Sequence, residues 1–390
     1  MPTGRGWAAI GVSAALFFLW AGFGESDLMT TATFLLAAVA VGMVFVRLSS
    51  TEVAVWRRIL PAQVHEGDTV MVEMDVIAGR RLRNVELEDT VHGLGTARFA
   101  AGNARRGEAL TARYEVRCRG RGVFAVGPAL LSISDPFSLT ERRTAVGEID
   151  RLTVYPRVEP LIGLPVVRGL DPTVASTRPT SAPFGGEDFF TLREYQIGDD
   201  LRKVHWPSSA KRDELMIKQL EVPWQNRALV VLDTRGHRYP VPEAFEQAVR
   251  GAASAVAHLH SSGYGPELWS SGRSTRSRST DRYVDAMETL ATVETGDRLD
   301  LRKTVSALLR HGGGGGALVV VTGVPDEGLV GAHRLLTGHF TRTILMAVTE
   351  DPDAAADRIK GMDAVMVTVG SHGRWAPAWR AAMEVQWSTA

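Results

Sequence analysis

The sequence is poor in cysteine and carries no excess of charge of either sign. Among its 390 residues there is one cysteine, Cys118, so no intramolecular disulfide forms. A disulfide-stapled secreted scaffold and a Cys-rich zinc domain are both excluded. Lys and Arg together number 44, as do Asp and Glu, which removes any global electrostatic reason to bind nucleic acid. Common catalytic signatures are missing as well. The chain has no Gly-x-Ser-x-Gly nucleophile elbow and no His-Glu-x-x-His pair. It also lacks a Gly-x-x-x-x-Gly-Lys-Ser/Thr loop, so any ATPase activity would have to belong to a partner. The glycine run from Gly312 to Gly316 precedes an apolar strand pattern instead of following one, and it reads as a loop and not as a dinucleotide cradle.

What the sequence does contain begins with two long uncharged runs, Trp7 to Phe23 and Leu28 to Val46. Both have the length of a membrane span. A cleavable signal peptide fits the first run poorly, because the second follows after only Gly24-Glu25-Ser26-Asp27. Arg5 precedes the pair, Arg47, Arg57 and Arg58 follow it, and the turn between holds only acids. The positive-inside rule then predicts a two-pass hairpin in the cell (inner) membrane, with both ends and the soluble domains in the cytoplasm. An unpaired cysteine agrees with a reducing compartment. The expected hydrophobic partner is the lipid bilayer.

Beyond the hairpin, a composition of 45% hydrophobic and 23% charged residues is that of a globular chain with room for two or three domains. From about Thr51 to Pro160 apolar residues alternate with polar ones, as in Thr69 to Val76 and Thr111 to Cys118, with turn signals between the runs. This pattern predicts an antiparallel β-sandwich of immunoglobulin-like size. Arg113, Arg117, Arg119 and Arg121 belong to a solvated strand face nearly balanced by acids. A Pro/Thr/Ser-rich stretch, Asp171 to Pro183, reads as a linker. The continuous apolar strand Ala228 to Asp233 then opens a different class of pattern. Further strands are expected at Ala317 to Thr322, Thr343 to Thr349 and Ala364 to Val369, and helices from Phe245 to Leu259 and around Tyr283 to Ala291, Leu301 to Arg310 and Pro377 to Val385. Alternating strands and helices predict a doubly wound α/β sheet. The expected domains are thus a hairpin over 1–50, a β-sandwich over 51–165, a linker with a signature loop over 166–226, and an α/β domain over 227–390.

The signature segment holds Gly185, Gly186, Asp188, Phe189, Arg193, Glu194, Tyr195, Gly198, Asp199, Arg202, His205, Trp206 and Ser209. Its residues follow neither helical nor strand periodicity, which predicts a folded loop whose side chains meet one another. The segment closely resembles the signature of the domain of unknown function 58 family. So do the run RGRGVFAVGPALLSISDPFSL that begins at Arg119, and Val154-Tyr155-Pro156.

The resemblance implies a von Willebrand factor type A-like domain in the C-terminal half and association with a MoxR-type AAA+ ATPase. A von Willebrand type A domain holds Mg²⁺ with Asp-x-Ser-x-Ser. Here that motif reads Asp233-Thr234-Arg235-Gly236-His237, and Arg235 and His237 offer no hydroxyl oxygen. The site at Asp233 is therefore expected to be degenerate, with no metal or other cofactor. For the signature loop three roles stand open: ion pairs among Arg193, Glu194, Asp199, Asp200 and Arg202 that pin it down over Phe189, Tyr195 and Trp206; recognition of a partner; or catalysis using His205, Asp199 and Ser209. The reading that follows is a membrane-anchored scaffold or adaptor with no catalytic residue of its own, the alternative being a hydrolase built on His205 and Asp199.

Overall fold

The computed structural model describes residues 1–49, 52–61, 63–163, 188–194, 204, 206–212, 214–221, 227–270, 273–274, 281–296, 305, 315–336 and 339–389. The chain forms two compact units, Met1–Tyr155 and Pro156–Ala390.

In the first unit the two apolar runs form helices α1 (Gly4–Phe23) and α2 (Ser26–Leu48). Thr3 caps α1 by accepting the Gly6 amide at 3.2 Å, and the Gly24 amide closes its far end on the Trp20 carbonyl at 2.7 Å. Both helices are long and apolar enough to cross a membrane. Phe17, Phe18, Phe34, Leu36 and Val41 lie exposed on them, where the core helix of a water-soluble domain would bury such residues. The hydroxyls of Thr30, Thr31 and Thr33 donate to carbonyls four residues back, which satisfies them without water. Ser13, fully covered, donates to the Ala32 carbonyl at 2.6 Å and ties the two helices together.

Ten strands follow: β1 (Val53–Leu60), β2 (Val64–His65), β3 (Thr69–Ala78), β4 (Leu82–Val91), β5 (Gly95–Ala104), β6 (Ala109–Arg117), β7 (Gly122–Val126), β8 (Ala129–Ser134), β9 (Glu141–Val146) and β10 (Asp150–Tyr155). They make a three-stranded sheet β1-β3-β6 and a larger sheet β2-β10-β7-β4-β8-β9, in which β5 also pairs with β4. The alternation read from the sequence sets the faces. On β3 the even-numbered residues Val70, Val72, Met74 and Val76 are buried, and they pack with Leu82, Val85 and Leu131 at one end and with Val91, Val126 and Leu152 at the other. On the outer face Arg113 pairs with Glu73, both on the three-stranded sheet, as a solvated strand face requires.

One charged cluster is buried between the sheets. The Arg57 guanidinium grips Asp89 through two bonds of 2.9 Å and reaches Asp150 at 3.2 Å, while the Tyr114 hydroxyl donates to Asp89 at 2.7 Å. The side chains of Arg57 and Asp89 are 1% and 0% exposed. Burial opposes the charge on Arg57, but the two carboxylates outweigh it and raise its pKa; burial, and then Asp89, push the Tyr114 phenol up. Arg57 is thus an internal ion-pair residue and not a basic flank of the hairpin. Arg58 likewise bonds to Glu73 and Asp75. Only Arg5 and Arg47 of the expected flank stay without such partners among the described residues.

The foot of the hairpin interlocks with the turn Asp135–Thr140. Met1 and Thr3 bond to carbonyls at Glu141 and Leu139, and Pro2 bridges Thr140. A Cβ on Gly6 would lie 2.1 Å from the Leu139 carbonyl oxygen, and one on Gly42 would lie 3.0 Å from the Thr140 hydroxyl. At Gly6 only glycine permits such an approach, and at Gly42 a side chain would press on the turn's own side chains. The buried Asp135 holds the turn shut by accepting the Phe137 amide and both the amide and the hydroxyl of Thr140.

The second unit begins with the segment Pro156–Gly163, anchored where the Glu159 amide donates to Ser254 and the Glu159 carboxylate accepts the Ala376 amide. Strand β11 (Asp188–Glu194), helix α3 (Trp206–Arg212) and strand β12 (Met216–Glu221) follow. Beyond them come β13 (Arg227–Leu232), α4 (Pro242–Ser261), β14 (Gly265–Ser270), β15 (Arg273–Ser274), α5 (Arg282–Thr292), β16 (Gly315–Thr322), α6 (Glu327–Leu336), β17 (Phe340–Val348), α7 (Pro352–Arg358), β18 (Val365–Val369) and α8 (Trp375–Thr389). The sheet runs β15-β14-β13-β16-β17-β18, parallel throughout except for the edge strand β15. Counted in chain order this is 3-2-1-4-5-6, a doubly wound sheet whose direction of winding reverses between β13 and β16. Leu229 and Val231 face a core shared with Leu329, Ala332 and Leu336 of α6, and α4 packs against β13, β14, β16 and β17.

The expected strands β13, β16, β17 and β18 and helices α4, α5 and α8 appear within a few residues of their places; β14 was not anticipated, nor were the helices α6 and α7. Both are too short for apolar periodicity to mark them, and each is opened by an aspartate, Asp326 or Asp351, that accepts a first-turn amide. The helix expected around Leu301 to Arg310 lies, apart from Val305, outside the described residues, as does the linker Asp171 to Pro183.

The buried cluster gives the first prediction. Asp89→Asn leaves Arg57 in the interior without its principal counter-charge and should destabilise the first unit by about 3 to 5 kcal/mol, whereas Tyr114→Phe, which removes one hydrogen bond, should cost about 1 kcal/mol. Denaturant unfolding of the detergent-solubilised chain, followed by tryptophan fluorescence, measures both; equal, small effects would contradict the role given to the ion pair.

Candidate functional site

The described parts of the signature segment form a strand and a short helix and not a loop. Residues Asp188, Phe189, Arg193 and Glu194 belong to β11, which pairs antiparallel with β12 in the register Asp188↔Glu221 to Glu194↔Met216, shifted between Phe189 and Thr191. The strand escapes a periodicity reading because its partner follows only after α3, so neither strand is flagged by a short turn. Trp206 opens α3 and is 66% exposed, so it does not pack beneath the segment: a seven-residue helix buries one narrow side, and Ser209 lies on that side. The Ser209 hydroxyl accepts the Met216 amide at 2.9 Å and ties α3 to the start of β12. Gly185, Gly186, Tyr195, Gly198, Asp199, Arg202 and His205 lie outside the described residues.

A buried cluster of charge lies at Asp233. This residue follows the carboxyl end of β13, at the point where the winding of the sheet reverses, the position at which open α/β sheets form a ligand crevice. Its carboxylate is fully buried. The Arg235 guanidinium lies across it, with Nε 3.0 Å from Oδ1 and Nη2 2.8 Å from Oδ2, and the Arg235 amide adds a bond of 3.1 Å to Oδ1. From the end of β16 the Thr322 hydroxyl donates to Oδ2 at 2.9 Å. The other side of the same guanidinium reaches Asp326 at 2.8 and 3.2 Å. Arg238 also pairs with Asp326 at 2.9 Å, and Asp326 accepts the Leu329 amide at 2.8 Å as the cap of α6. The Tyr239 hydroxyl donates to the Asp233 carbonyl.

The electrostatics follow from this packing. Burial opposes the Arg235 charge, and hydrogen bonds first to Asp233 and then to Asp326 outweigh it, so its pKa is raised. Burial would raise Asp326, but Arg235, the Leu329 amide and Arg238 hold its carboxyl below the usual range. Burial, followed by the nearby Asp233 charge, lifts the Tyr239 phenol well up. A divalent cation does not fit this set. Both Asp233 oxygens already receive N–H donors, and a guanidinium stands where hydroxyl ligands would be needed.

The sequence reading singled out Asp233 and Arg235 but missed Asp326, Arg238 and Tyr239. The first was available as a helix-start signal, an aspartate just ahead of Glu327-Gly-Leu-Val. Arg238 and Tyr239 are brought in by the 3₁₀ turn Gly236–Arg238, which nothing in the periodicity marks.

A family model described as "Protein of unknown function DUF58" matches residues 191–265, a stretch that runs from within β11 to the start of β14 and includes Asp233 and Arg235. The match supports the domain of unknown function 58 family. No curated protein matches the chain. Solved structures similar to it include the CARDB domain of a Pyrococcus furiosus protein, at 14% identity over 26% of this chain and 93% of that one with a TM-score of 0.20. Another is Spo0M, a sporulation control protein from Bacillus subtilis, at 15% identity over 27% of this chain and 50% of that one with a TM-score of 0.18.

The cluster at Asp233 yields a second prediction. Arg235→Ser should lower the stability of the chain by about 3 to 5 kcal/mol, because it leaves two carboxylates facing one another with their shared cation gone. Added Mg²⁺ should restore part of that loss in the variant and leave the wild type unmoved. Thermal unfolding with and without the metal is the measurement; stabilisation of the wild type by Mg²⁺, abolished in Asp233→Asn, would mean that the metal competes successfully with Arg235.

Proposed function

We propose that this chain is a membrane-anchored scaffold or adaptor of the domain of unknown function 58 family that works with a MoxR-type AAA+ ATPase. In this reading the first unit is a two-pass hairpin carrying an immunoglobulin-like β-sandwich, and the second is a von Willebrand factor type A-like domain whose metal site has been replaced by an internal cation. The observation that carries the proposal is the Arg235 guanidinium bridging Asp233 and Asp326 at the switch point of the sheet. Where an adhesion-type domain recruits Mg²⁺ to present its ligand-binding edge, this chain supplies the positive charge covalently. Its partner surface is then permanently formed and independent of metal. The exposed His237 lies beside the bridge at the carboxyl edge of the sheet, where a partner would meet it.

The hydrolase alternative rests on Asp199 and His205, which lie outside the described residues. The nearby Ser209 hydroxyl, buried and receiving the Met216 amide, has the setting of a helix-to-strand tie and not of a poised nucleophile.

The orientation in this reading is supported by basic residues toward the foot of the hairpin, Arg5 and Arg47 in the helices and Arg80 and Arg81, the last two lining the same groove as Phe45 and Ser49 of α2 and its cap. In this reading the foot lies on the cytoplasmic side of a cell (inner) membrane. Cysteine labelling tests it, and the native Cys118 is buried and silent. A cysteine at Ser26 should react with an impermeant maleimide from outside the cell and one at Phe137 only after permeabilisation; the reverse pattern would invert the topology.

The partner reading is tested by photo-crosslinking from His237 in native membranes, without nucleotide. An adduct with an AAA+ ATPase that survives metal chelation is expected, and a crosslinker at Asp353 on α7 serves as the control. No ATPase adduct from His237, or one lost on chelation, would overturn the metal-free docking edge.

A further inference from the structure

The foot of the hairpin has a second feature, which the scaffold role leaves unused. Beside the last turn of α2 lies a groove of about 390 Å³ lined by apolar Phe45, Leu48 and Ile133 and by polar Ser49, Arg80 and Arg81. The Ser49 hydroxyl is already committed to the Phe45 carbonyl at 2.8 Å, so the donors available to a ligand are the two guanidinium groups. Arg80 touches Glu52 at 3.4 Å, with both side chains about two-thirds exposed, a contact too solvated to hold it. Arg81 is exposed and has no ion-pair partner among the described residues. Arg47 adds a third exposed cation from the last turn of α2.

This groove is continuous with an apolar stripe. Val41, Val44 and Leu48 are spaced by three and four residues, so they follow one another along one side of α2, and they are 68%, 55% and 82% exposed. The turn residue Phe137, at 73% exposed, is a further large apolar side chain at the foot. Paired guanidinium groups match the oxygens of a phosphate, and the stripe that leads away from them matches an alkyl chain. Free phosphate would use the first feature and have no use for the second.

We propose that this groove binds the headgroup of an anionic glycerophospholipid, with Arg80 and Arg81 on the phosphate and an acyl chain along Val41, Val44 and Leu48. Basic pockets at the cytoplasmic ends of spans are suited to such lipids. The inference rests on the hairpin lying in a bilayer and goes beyond the scaffold reading, because it gives the first unit a ligand of its own. The bound lipid would hold the Gly79–Arg81 turn against the membrane surface, next to the point where β1 leaves α2.

The test uses the full chain in nanodiscs of phosphatidylcholine alone or mixed with phosphatidylglycerol, followed by native mass spectrometry to count retained lipids. The wild type should keep one phosphatidylglycerol per chain and show no comparable retention of phosphatidylcholine. Replacing both residues, Arg80→Gln with Arg81→Gln, should reduce retention by about fivefold per arginine, roughly 25-fold in all. Arg117→Gln with Arg119→Gln, at the opposite end of the β3–β6 pair, should leave it unchanged, and excess inorganic phosphate should not displace the lipid. Equal retention of the two lipids by the wild type would overturn the site without recourse to any variant, as would undiminished retention in the Arg80/Arg81 double variant or displacement by free phosphate. A chain that fails to enter nanodiscs would overturn the membrane reading itself, whereas entry without headgroup preference overturns only this site.

Discussion

A carboxylate with no exposed surface has to be matched by a cation, and at the carboxyl end of β13 that cation is part of the chain. Arg235 reaches it from two residues downstream, and the same planar guanidinium continues to Asp326 on the far side. The carboxylate and the guanidinium together gather three neighbouring pieces of the second unit: the end of β13, the end of β16 through Thr322, which donates to Asp233, and the start of α6 through Asp326, which accepts from Arg235. Removing one charge from such a set is far more costly than the net worth of the set, because those left behind are desolvated and alone. The geometry at the edge of the sheet is therefore held by an ion that cannot dissociate, cannot be chelated and does not lose its charge at any physiological pH.

The first unit applies the same rule elsewhere. Arg57 and Asp89 form a buried pair between the sheets, with Tyr114 and Asp150 completing it. In both units a forked guanidinium is paired with a carboxylate that water does not reach, and in both the arginine is recruited by a residue distant in sequence, Asp89 or Asp326. Specificity of this kind comes from directional bonds and not from apolar area. An apolar core tolerates rearrangement more readily than a network in which every donor is counted.

Much of this was legible in the sequence, and the parts that were not share a cause. Period-two alternation marked the first unit as strand-rich and located strands such as β3 and β6, and continuous apolar runs located β13, β16, β17 and β18, because burial on one or both faces leaves a direct imprint on composition. The residue types around Asp233 were likewise visible, with the nitrogen-bearing Arg235 and His237 following the carboxylate within four positions. The identity of Arg235's second partner was not. Asp326 lies 91 positions away, and a pairing across that distance is set by strand order, which periodicity does not encode. Arg57 was misread for the same reason: beside a membrane span it looked like a flanking charge, and only the register of β1 against β3 and the packing of the two sheets reveal it as an interior residue. The strand β11 was hidden because a two-stranded pair interrupted by a helix has no turn signature.

The glycines at the hairpin foot have a mechanical consequence. Gly6 lets α1 meet the backbone of the Asp135–Thr140 turn and Gly42 lets α2 close on its Thr140 and Asp135 side chains, and Met1 and Thr3 extend the contact to the edge of β9. The hairpin is consequently a rigid stem and not a tether. A bilayer thinner than its spans of 20 and 23 residues would tilt such helices, and a stem bonded at several points would carry that tilt into the sheets it supports. Membrane thickness would then become an angular input to whatever the β-strand unit presents.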